Sequence, residues 1–315
     1  MVSTVMDQEV LKRCWFLAGP TAVGKTALSV ALAKAIGAEI VSMDSMAIYQ
    51  GMDIGTAKPR PSERGGIAHH MLDILRPHQE YSVSEFVSSA TRIAEDICQR
   101  GAVPLFVGGT GLYLRTILRG IFKGPDADWD LRRQLETDIN SHGKQWLHDQ
   151  LRRVDPETAL KLHPNDVRRI IRAIEVYRLT GIALSKQQTH QALPEGQRPA
   201  HVYWLEPRRE WLHERINRRV GLMMEQGLLE ETKALLLADP SPSRTARQAL
   251  GYRELIDHLE QGTELDLAVE QIRTGTRQFA KRQHTWFRNL EECIPVAIDG
   301  TESTDALVQR LVTGP

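Results

Sequence analysis

Apolar positions in the first part of the chain fall into short runs, each closed by a glycine or a polar turn. Residues 14–18 form one such run, ended at Gly19; strands covered on both faces read this way. Residues 26–36 follow with helical spacing. Leu28, Leu32 and Ala35 share one side, Ala31 lies beside them, and Gly37 is the stop. Residues 39–43 and 102–107 repeat the strand pattern, and the second is apolar enough for a central parallel strand. Over 122–199 strand-like runs disappear and the text becomes charged and helix-patterned. Helices are expected at 129–141, 143–154 and 166–180. In the last, Val167, Ile170, Ile171, Ile174 and Tyr177 form an apolar face, with Asn165 as start cap and Gly181 as end cap. A polar, proline-containing return segment from Thr189 leads to a strand at 201–205. After it come an amphipathic helix pair from Glu206 and a basic helix over 272–290; a short helix follows Gly300.

Alternating strands and helices imply an α/β core with a parallel sheet flanked by helices, interrupted by an all-α insertion. The expected division is 1–121 with 200–315 for the core and 122–199 for the insertion. Composition is that of an ordinary globular chain: 315 residues, 41% hydrophobic and 25% charged. Forty basic residues balance forty acidic ones, so net charge alone predicts no polyanionic partner and distribution has to be read instead. Cys14, Cys98 and Cys293 lie far apart, outside any zinc-ligand spacing, and fit a reducing compartment as buried hydrophobes. Asp7 and Glu9 ahead of Lys12 resemble neither a signal nor a transit peptide, and no run of about 18 apolar residues suggests a membrane span. A cytoplasmic location is expected.

Between the first strand and the first long helix stands Gly19-Pro20-Thr21-Ala22-Val23-Gly24-Lys25-Thr26, which matches G-x-x-x-x-G-K-[ST] without deviation. Its glycines let backbone N–H groups turn inward around an anion. The helix N-terminus adds partial positive charge, Lys25 adds a full one, and Thr26 offers a hydroxyl to Mg²⁺. The next strand ends in Asp44, which would face the same crevice; it is a candidate general base, or else it caps the following turn. The strand at 102–107 ends in Gly108-Gly109-Thr110-Gly111, with no acid before Asp126. A Walker-B aspartate would stand there in an ATP-hydrolysing enzyme. Its absence points to phosphates that depart with a leaving group, with Thr110 at the crevice or in a plain glycine-rich turn.

Basic side chains concentrate later. Arg168, Arg169, Arg172 and Arg178 face one internal acid, Glu175; Arg208, Arg209, Arg215, Arg218 and Arg219 crowd the first half of the helix pair. Between Ile272 and Leu290 there are five basic residues and no acid. Arg277, Lys281, His284 and Arg288 form one stripe there, interleaved with Phe279, Trp286 and Phe287. Charge beside aromatic surface suits single-stranded nucleic acid, although the aromatics also suit a helix core.

"GPTAVGKT", "DSMAIYQGMDIGTAKP", "VGGTGLYL", "RRIIRAIEV", "QALGYRE" and "AKRQHTWFR" occur in this order from Gly19 to Arg288. Together they closely resemble the tRNA isopentenyltransferase (tRNA dimethylallyltransferase) family, in the compact bacterial form without a zinc-finger extension. The resemblance implies a P-loop NTPase-like fold and transfer of a dimethylallyl group from dimethylallyl diphosphate to N6 of adenosine 37 in the tRNA anticodon loop, with diphosphate leaving. It implies that Gly19, Pro20, Thr21, Ala22, Val23, Gly24, Lys25 and Thr26 bind the diphosphate, with Thr26 on Mg²⁺. Asp44 would take the N6 proton, Thr21 would reach a leaving oxygen, and Arg219 would hold the diphosphate from the other side, although spacing does not choose between Arg218 and Arg219. RNA contacts would come from Asp44, Ser45, Met46, Ala47, Thr110 and Arg132. Arg168, Arg169, Ile170, Ile171 and Arg172 would add to them, as would Gly251, Tyr252, Arg253 and Glu254. The last set is Lys281, Arg282, Gln283, His284, Trp286 and Arg288. A monomer that grips the anticodon stem-loop is expected. A small-molecule kinase would leave the basic helix idle, and a non-catalytic RNA-binding module would leave the phosphate loop without a task.

Overall fold

The computed structural model describes residues 6–120, 122, 124–187 and 191–314. In chain order the elements are α1 (Gln8–Arg13), β1 (Trp15–Ala18), α2 (Lys25–Ile36), β2 (Ala38–Met43), β3 (His69–His70), α3 (Val83–Gln99), β4 (Val103–Gly108) and α4 (Gly111–Arg119). Next are α5 (Trp129–His142), α6 (Lys144–Val154), α7 (Pro156–Lys161), α8 (Val167–Thr180) and α9 (Leu184–Gln187). Last come β5 (His201–Pro207), α10 (Arg209–Glu225), α11 (Leu228–Leu236), α12 (Arg244–Arg247), α13 (Tyr252–Gln261), α14 (Leu265–Arg288), β6 (Ile294–Ile298) and α15 (Thr304–Thr313).

The strands make one parallel sheet in the order β3-β2-β4-β1-β5-β6. Period-two alternation splits each central strand between two cores. Phe16, Phe106 and Trp204 enter one with Phe86, Tyr113 and Phe287; Leu17, Leu105 and Tyr203 enter the other with Leu28, Leu32 and Leu311. Both faces are covered, which is why these strands read as unbroken apolar runs. Helix α2 buries Leu28 and Leu32 as expected, but also Ser29, Val30 and Ala33, because α15 packs on it. Ala35, expected on the apolar side, is exposed. Register pairs Ala18 with Gly108 and Met43 with Gly108, so the loops after β1, β2 and β4 leave the sheet side by side. Strands β3 and β6 were not expected: β3 has too few residues for any periodicity to show. A third core gathers Val220, Leu228, Tyr252, Leu255 and Ile272 around Ile48, Tyr49 and Met52, which anchors the segment after Asp44.

The chain forms two compact units, Gly120–Gln191 and Met6–Arg119 with Ala192–Pro315. The return segment from Ala192 belongs with the sheet-bearing unit, where the Leu193 N–H donates to Glu292. Thr189 and His190 at its start lie outside the described residues. The helical unit is built on Leu135, Leu147, Leu151, Ile170, Ile171 and Ile174. It holds the three expected helices and two more, α7 and α9. Gly181 closes α8 in a left-handed conformation (φ 71°) as expected. The start differs: Asp166 occupies the cap position but its side chain makes no capping bond to the helix backbone, and Asn165 Oδ1 instead accepts from Lys144 at 3.4 Å.

Glu175 is wholly buried in this unit and accepts from Arg132 at 2.7 and 2.8 Å, from Arg172 at 2.5 Å and from the Asp128 N–H at 2.9 Å. Burial pushes its carboxyl up, but the two guanidinium groups and the backbone donor outweigh burial and hold it below the usual range. A depressed carboxylate stabilises the fold above the unfolded pKa, and that contribution is lost as pH falls through the folded value. Glu175→Gln should cost on the order of 2 kcal/mol at pH 7, by leaving two half-buried guanidinium groups undercompensated. The gap to the unaltered chain should narrow below about pH 4 in urea titrations. Equal stabilities at pH 7 would contradict this role.

Candidate active site

Helix α2 begins at Lys25 on Gly24, whose left-handed backbone (φ 102°) needs glycine and supplies no capping side chain. The first N–H groups of the helix are therefore left for an external acceptor, the arrangement that binds phosphate. Ala22 is also left-handed (φ 66°), and its carbonyl accepts from Arg215 Nε at 2.8 Å. Lys25 Nζ donates to the Gly19 and Pro20 carbonyls at 2.9 and 2.8 Å. This loop between a parallel strand and a helix gives the chain a P-loop NTPase-like fold.

The loop after β2 brings Asp44 to the same place. Its Oδ1 accepts from the Met46 and Ala47 N–H groups at 2.8 and 3.2 Å, so Asp44 caps the following turn and also lines the crevice. These hydrogen bonds set the carboxylate before any substrate arrives. Thr110 holds that turn from the side: its Oγ1 accepts from the Ser45 N–H at 3.3 Å and its N–H donates to the Met43 carbonyl at 3.2 Å. Gly108 is required by close approach, because a Cβ there would lie 2.3 Å from the Met43 carbonyl oxygen.

The three loops open on a cavity of about 780 Å³. Its cationic lining is Lys25, Lys58, Arg215, Arg218 and Arg219, of which Lys58 is committed to Asp53 and Asp73; Asp44 and an exposed Glu63 face them. Burial, and then the charge of Arg219, push the Lys25 ammonium down to about 7 against the pull of Asp44. Burial lowers Arg219 too, Asp44 raises it and Arg215 lowers it. Like charges held this closely out of water are relieved by a bound anion. The rest of the wall is largely apolar: Ala47, Ala57, Leu72, Leu222 and Phe279.

Arg215, Leu222 and Phe279 were not singled out as site residues. Their signal was present: 215, 218, 219 and 222 fall at i, i+3, i+4 and i+7, one face of α10. Of the pair left open by spacing, Arg218 is the more exposed and Arg219 the one whose charge reaches Lys25 and Asp44.

The residues expected at RNA divide by burial. Arg168, Arg169, Lys281, Arg282 and Arg288 are exposed, as is the side chain of Arg253, which pairs with Glu254. Arg169 pairs with Asp166 at 3.0 Å, and His284 with Glu206 at 3.3 Å. Ile170 and Ile171 are core side chains, and Arg132 and Arg172 are committed to Glu175. Gly251 (φ 93°) starts α13, and its N–H donates to Glu254 Oε2 at 2.8 Å. The buried Tyr252 hydroxyl donates to Glu231 at 2.6 Å. The same carboxylate accepts from the N–H groups of Asp53, Ile54 and Gly55, which pins the loop carrying Ala57 into the cavity wall. Trp286 packs on Gly111, with the Arg115 guanidinium 5.0 Å from its ring. Gln283 is buried, with both amide ends engaged: Oε1 accepts from the Thr21 N–H and Nε2 donates to the Gly109 carbonyl, each at 2.9 Å.

A family model described as IPP transferase matches residues 47–290. A tRNA dimethylallyltransferase of Symbiobacterium thermophilum is 46% identical over 297 residues, covering 94% of this chain and 92% of its own. One from Halothermothrix orenii is 46% identical over 272 residues, or 86% and 83% of the two chains. Among solved structures, the full-length tRNA isopentenylpyrophosphate transferase from Bacillus halodurans aligns with TM-score 0.69 at 38% identity, over 96% of each chain. A eukaryotic dimethylallyltransferase acting on tRNA aligns with TM-score 0.76 at 28% identity, over 95% of this chain and 79% of its own.

The cavity's charge pattern makes a prediction. Arg219→Ala should weaken binding of magnesium pyrophosphate by on the order of tenfold in isothermal titration calorimetry, the effect of losing a desolvated charge-assisted contact. Arg218→Ala should cost about threefold or less. Equal losses would contradict the distinction.

Proposed function

The chain belongs to the IPP transferase family and is an enzyme of prenyl transfer to tRNA adenosine, and on that premise we propose its donor, target and site chemistry. The donor is dimethylallyl diphosphate. The acceptor is N6 of the adenosine just 3′ of the anticodon, tRNA position 37, in the anticodon stem-loop. The observation that carries this reading is that one cavity joins the phosphate loop, the Asp44 carboxylate and an apolar wall. A kinase would leave the basic helix idle, and a binding module has no use for the cradle.

The diphosphate lies on the Gly19–Thr26 loop, between Lys25 on one side and Arg219 on the other. Thr21 reaches a leaving oxygen. The dimethylallyl group packs on Leu222, Phe279, Ala47 and Ala57. N6 of adenine is a weak nucleophile, because its lone pair is delocalised into the ring. As N6 bonds to the allylic carbon, the carbon–oxygen bond to diphosphate breaks and the N6 proton passes to Asp44. The cations stabilise the charge that develops on the departing oxygens. The family takes a diphosphate substrate, commonly with a divalent metal. Among the described residues no cluster of three or more His, Cys, Asp or Glu side chains is placed to hold an ion. The Thr26 hydroxyl beside a bound diphosphate is a donor set that fits Mg²⁺, an ion held by few protein ligands and by substrate phosphates. Bound there, Mg²⁺ would neutralise diphosphate charge. The target base must leave its stack to reach the cavity.

The exposed cations Lys281, Arg282 and Arg288 on α14, together with Arg168 and Arg169 on α8, are proposed to meet the RNA backbone. No helix among the described residues is long and apolar enough to cross a membrane. A cytoplasmic location is part of the same proposal, since tRNA is the substrate, and so is a monomeric state.

Donor-label experiments test the reading. Unmodified anticodon stem-loop incubated with labelled dimethylallyl diphosphate should acquire label, and with γ-labelled ATP it should not; phosphate transfer from ATP would instead indicate a kinase. Asp44→Asn should keep RNA affinity within about twofold while turnover falls by about 10² or more; unchanged turnover removes Asp44 as the base. Lys281→Ala with Arg288→Ala should weaken stem-loop binding and reduce the slope of log K against log salt by about 1.5 to 2. An unchanged slope would take α14 away from the RNA.

A further inference from the structure

Gln283 lies in the run expected to touch RNA, yet its side chain faces the interior. Its residue is 5% exposed, on the inner face of α14 beside Phe279, opposite Lys281 and Arg282. The amide bridges two loops at the phosphate end of the cavity. Its oxygen accepts the Thr21 N–H, and its nitrogen donates to the Gly109 carbonyl, both at 2.9 Å. The fit is close: a Cβ on Gly109 would lie 2.2 Å from Gln283 Nε2 and would push the amide aside. Thr21 follows Pro20, which has no N–H, and precedes Ala22 in its left-handed conformation. The Thr21 amide is thus the first backbone donor after Gly19 by which the loop can be fixed from outside.

We propose that Gln283 is a positioning residue for the phosphate loop: its amide orients Thr21 toward the bound diphosphate and ties the loop after β1 to the loop after β4. Its amide lines the cavity but is spent on the two loops, so it acts through Thr21 and not on the RNA. This rests on the diphosphate reading of the cavity. The amide group is necessary, because only a side chain with an acceptor and a donor at opposite corners meets both partners. A carboxylate of the same size would present an acceptor to the Gly109 carbonyl.

The test uses the full chain, magnesium pyrophosphate by calorimetry, and a fluorescent anticodon stem-loop by anisotropy. Gln283→Met fills the same space without the hydrogen bonds, and Gly109→Ala displaces the amide without altering α14. Each variant should weaken pyrophosphate binding by about five- to tenfold, the worth of roughly one buried hydrogen bond, and leave stem-loop affinity within about twofold. The double variant should be no worse than either single one, because both break one link. Thermal melts identify any variant that merely loosens the fold, and for a variant so loosened the double-variant comparison decides: multiplicative losses overturn the proposal. Pyrophosphate binding unchanged in Gln283→Met overturns it as well. A loss confined to the stem-loop also overturns it and makes Gln283 an RNA contact. If the unaltered chain fails to bind magnesium pyrophosphate, the cavity reading falls and takes this proposal with it.

Discussion

Half-buried positive charge at the C-terminal end of a parallel sheet is the constraint from which the rest of this molecule follows. Lys25 and Arg219 share a cavity, each lowered by burial and partly balanced by Asp44. An ammonium that must satisfy itself on the Gly19 and Pro20 carbonyls is held where an anion would serve it better. The glycines at 19, 24, 108 and 109 let backbone and side chains crowd around that spot. The central strands exist to deliver three loops there in register.

Each unit keeps two kinds of polar surface apart. Inner faces carry groups with committed partners: Gln283 between two loops, Glu231 beneath the turn at Asp53 to Gly55, and Glu175 between two arginines. Outer faces carry cations open to solvent, such as Lys281, Arg288 and Arg168. The same short motifs supply both. "KRQHTWFR" contributes a buried amide and exposed charges, and "GYRE" contributes a buried hydroxyl and an exposed guanidinium.

That mixture explains what could be read in advance. The phosphate loop was legible because its chemistry is local: glycines and a lysine at fixed spacing, between a strand and a helix. The parallel sheet was legible because strands buried on both faces leave unbroken apolar runs. Asp44 was half legible; both its readings, crevice carboxylate and turn cap, hold at once. What stayed hidden depends on partners distant in the chain. Gln283 meets Thr21 across 262 positions, and nothing in its neighbours announces this. Ile170, Ile171 and Tyr252 sat inside motifs expected at RNA, but their side chains are core. Arg132 and Arg172 pair with an acid whose burial the linear text does not show. Two-residue β3 left no pattern at all, and Ala35 was misjudged because α15 packs on α2 from a remote part of the chain.

The central claim is that the anion held on the phosphate loop departs intact as a leaving group. Phosphorus NMR of the completed reaction, with dimethylallyl diphosphate and stem-loop RNA, tests it most directly. The account predicts pyrophosphate as the sole new phosphorus species, one for each modified adenosine. Orthophosphate, or phosphorus newly bonded to the RNA, would contradict it.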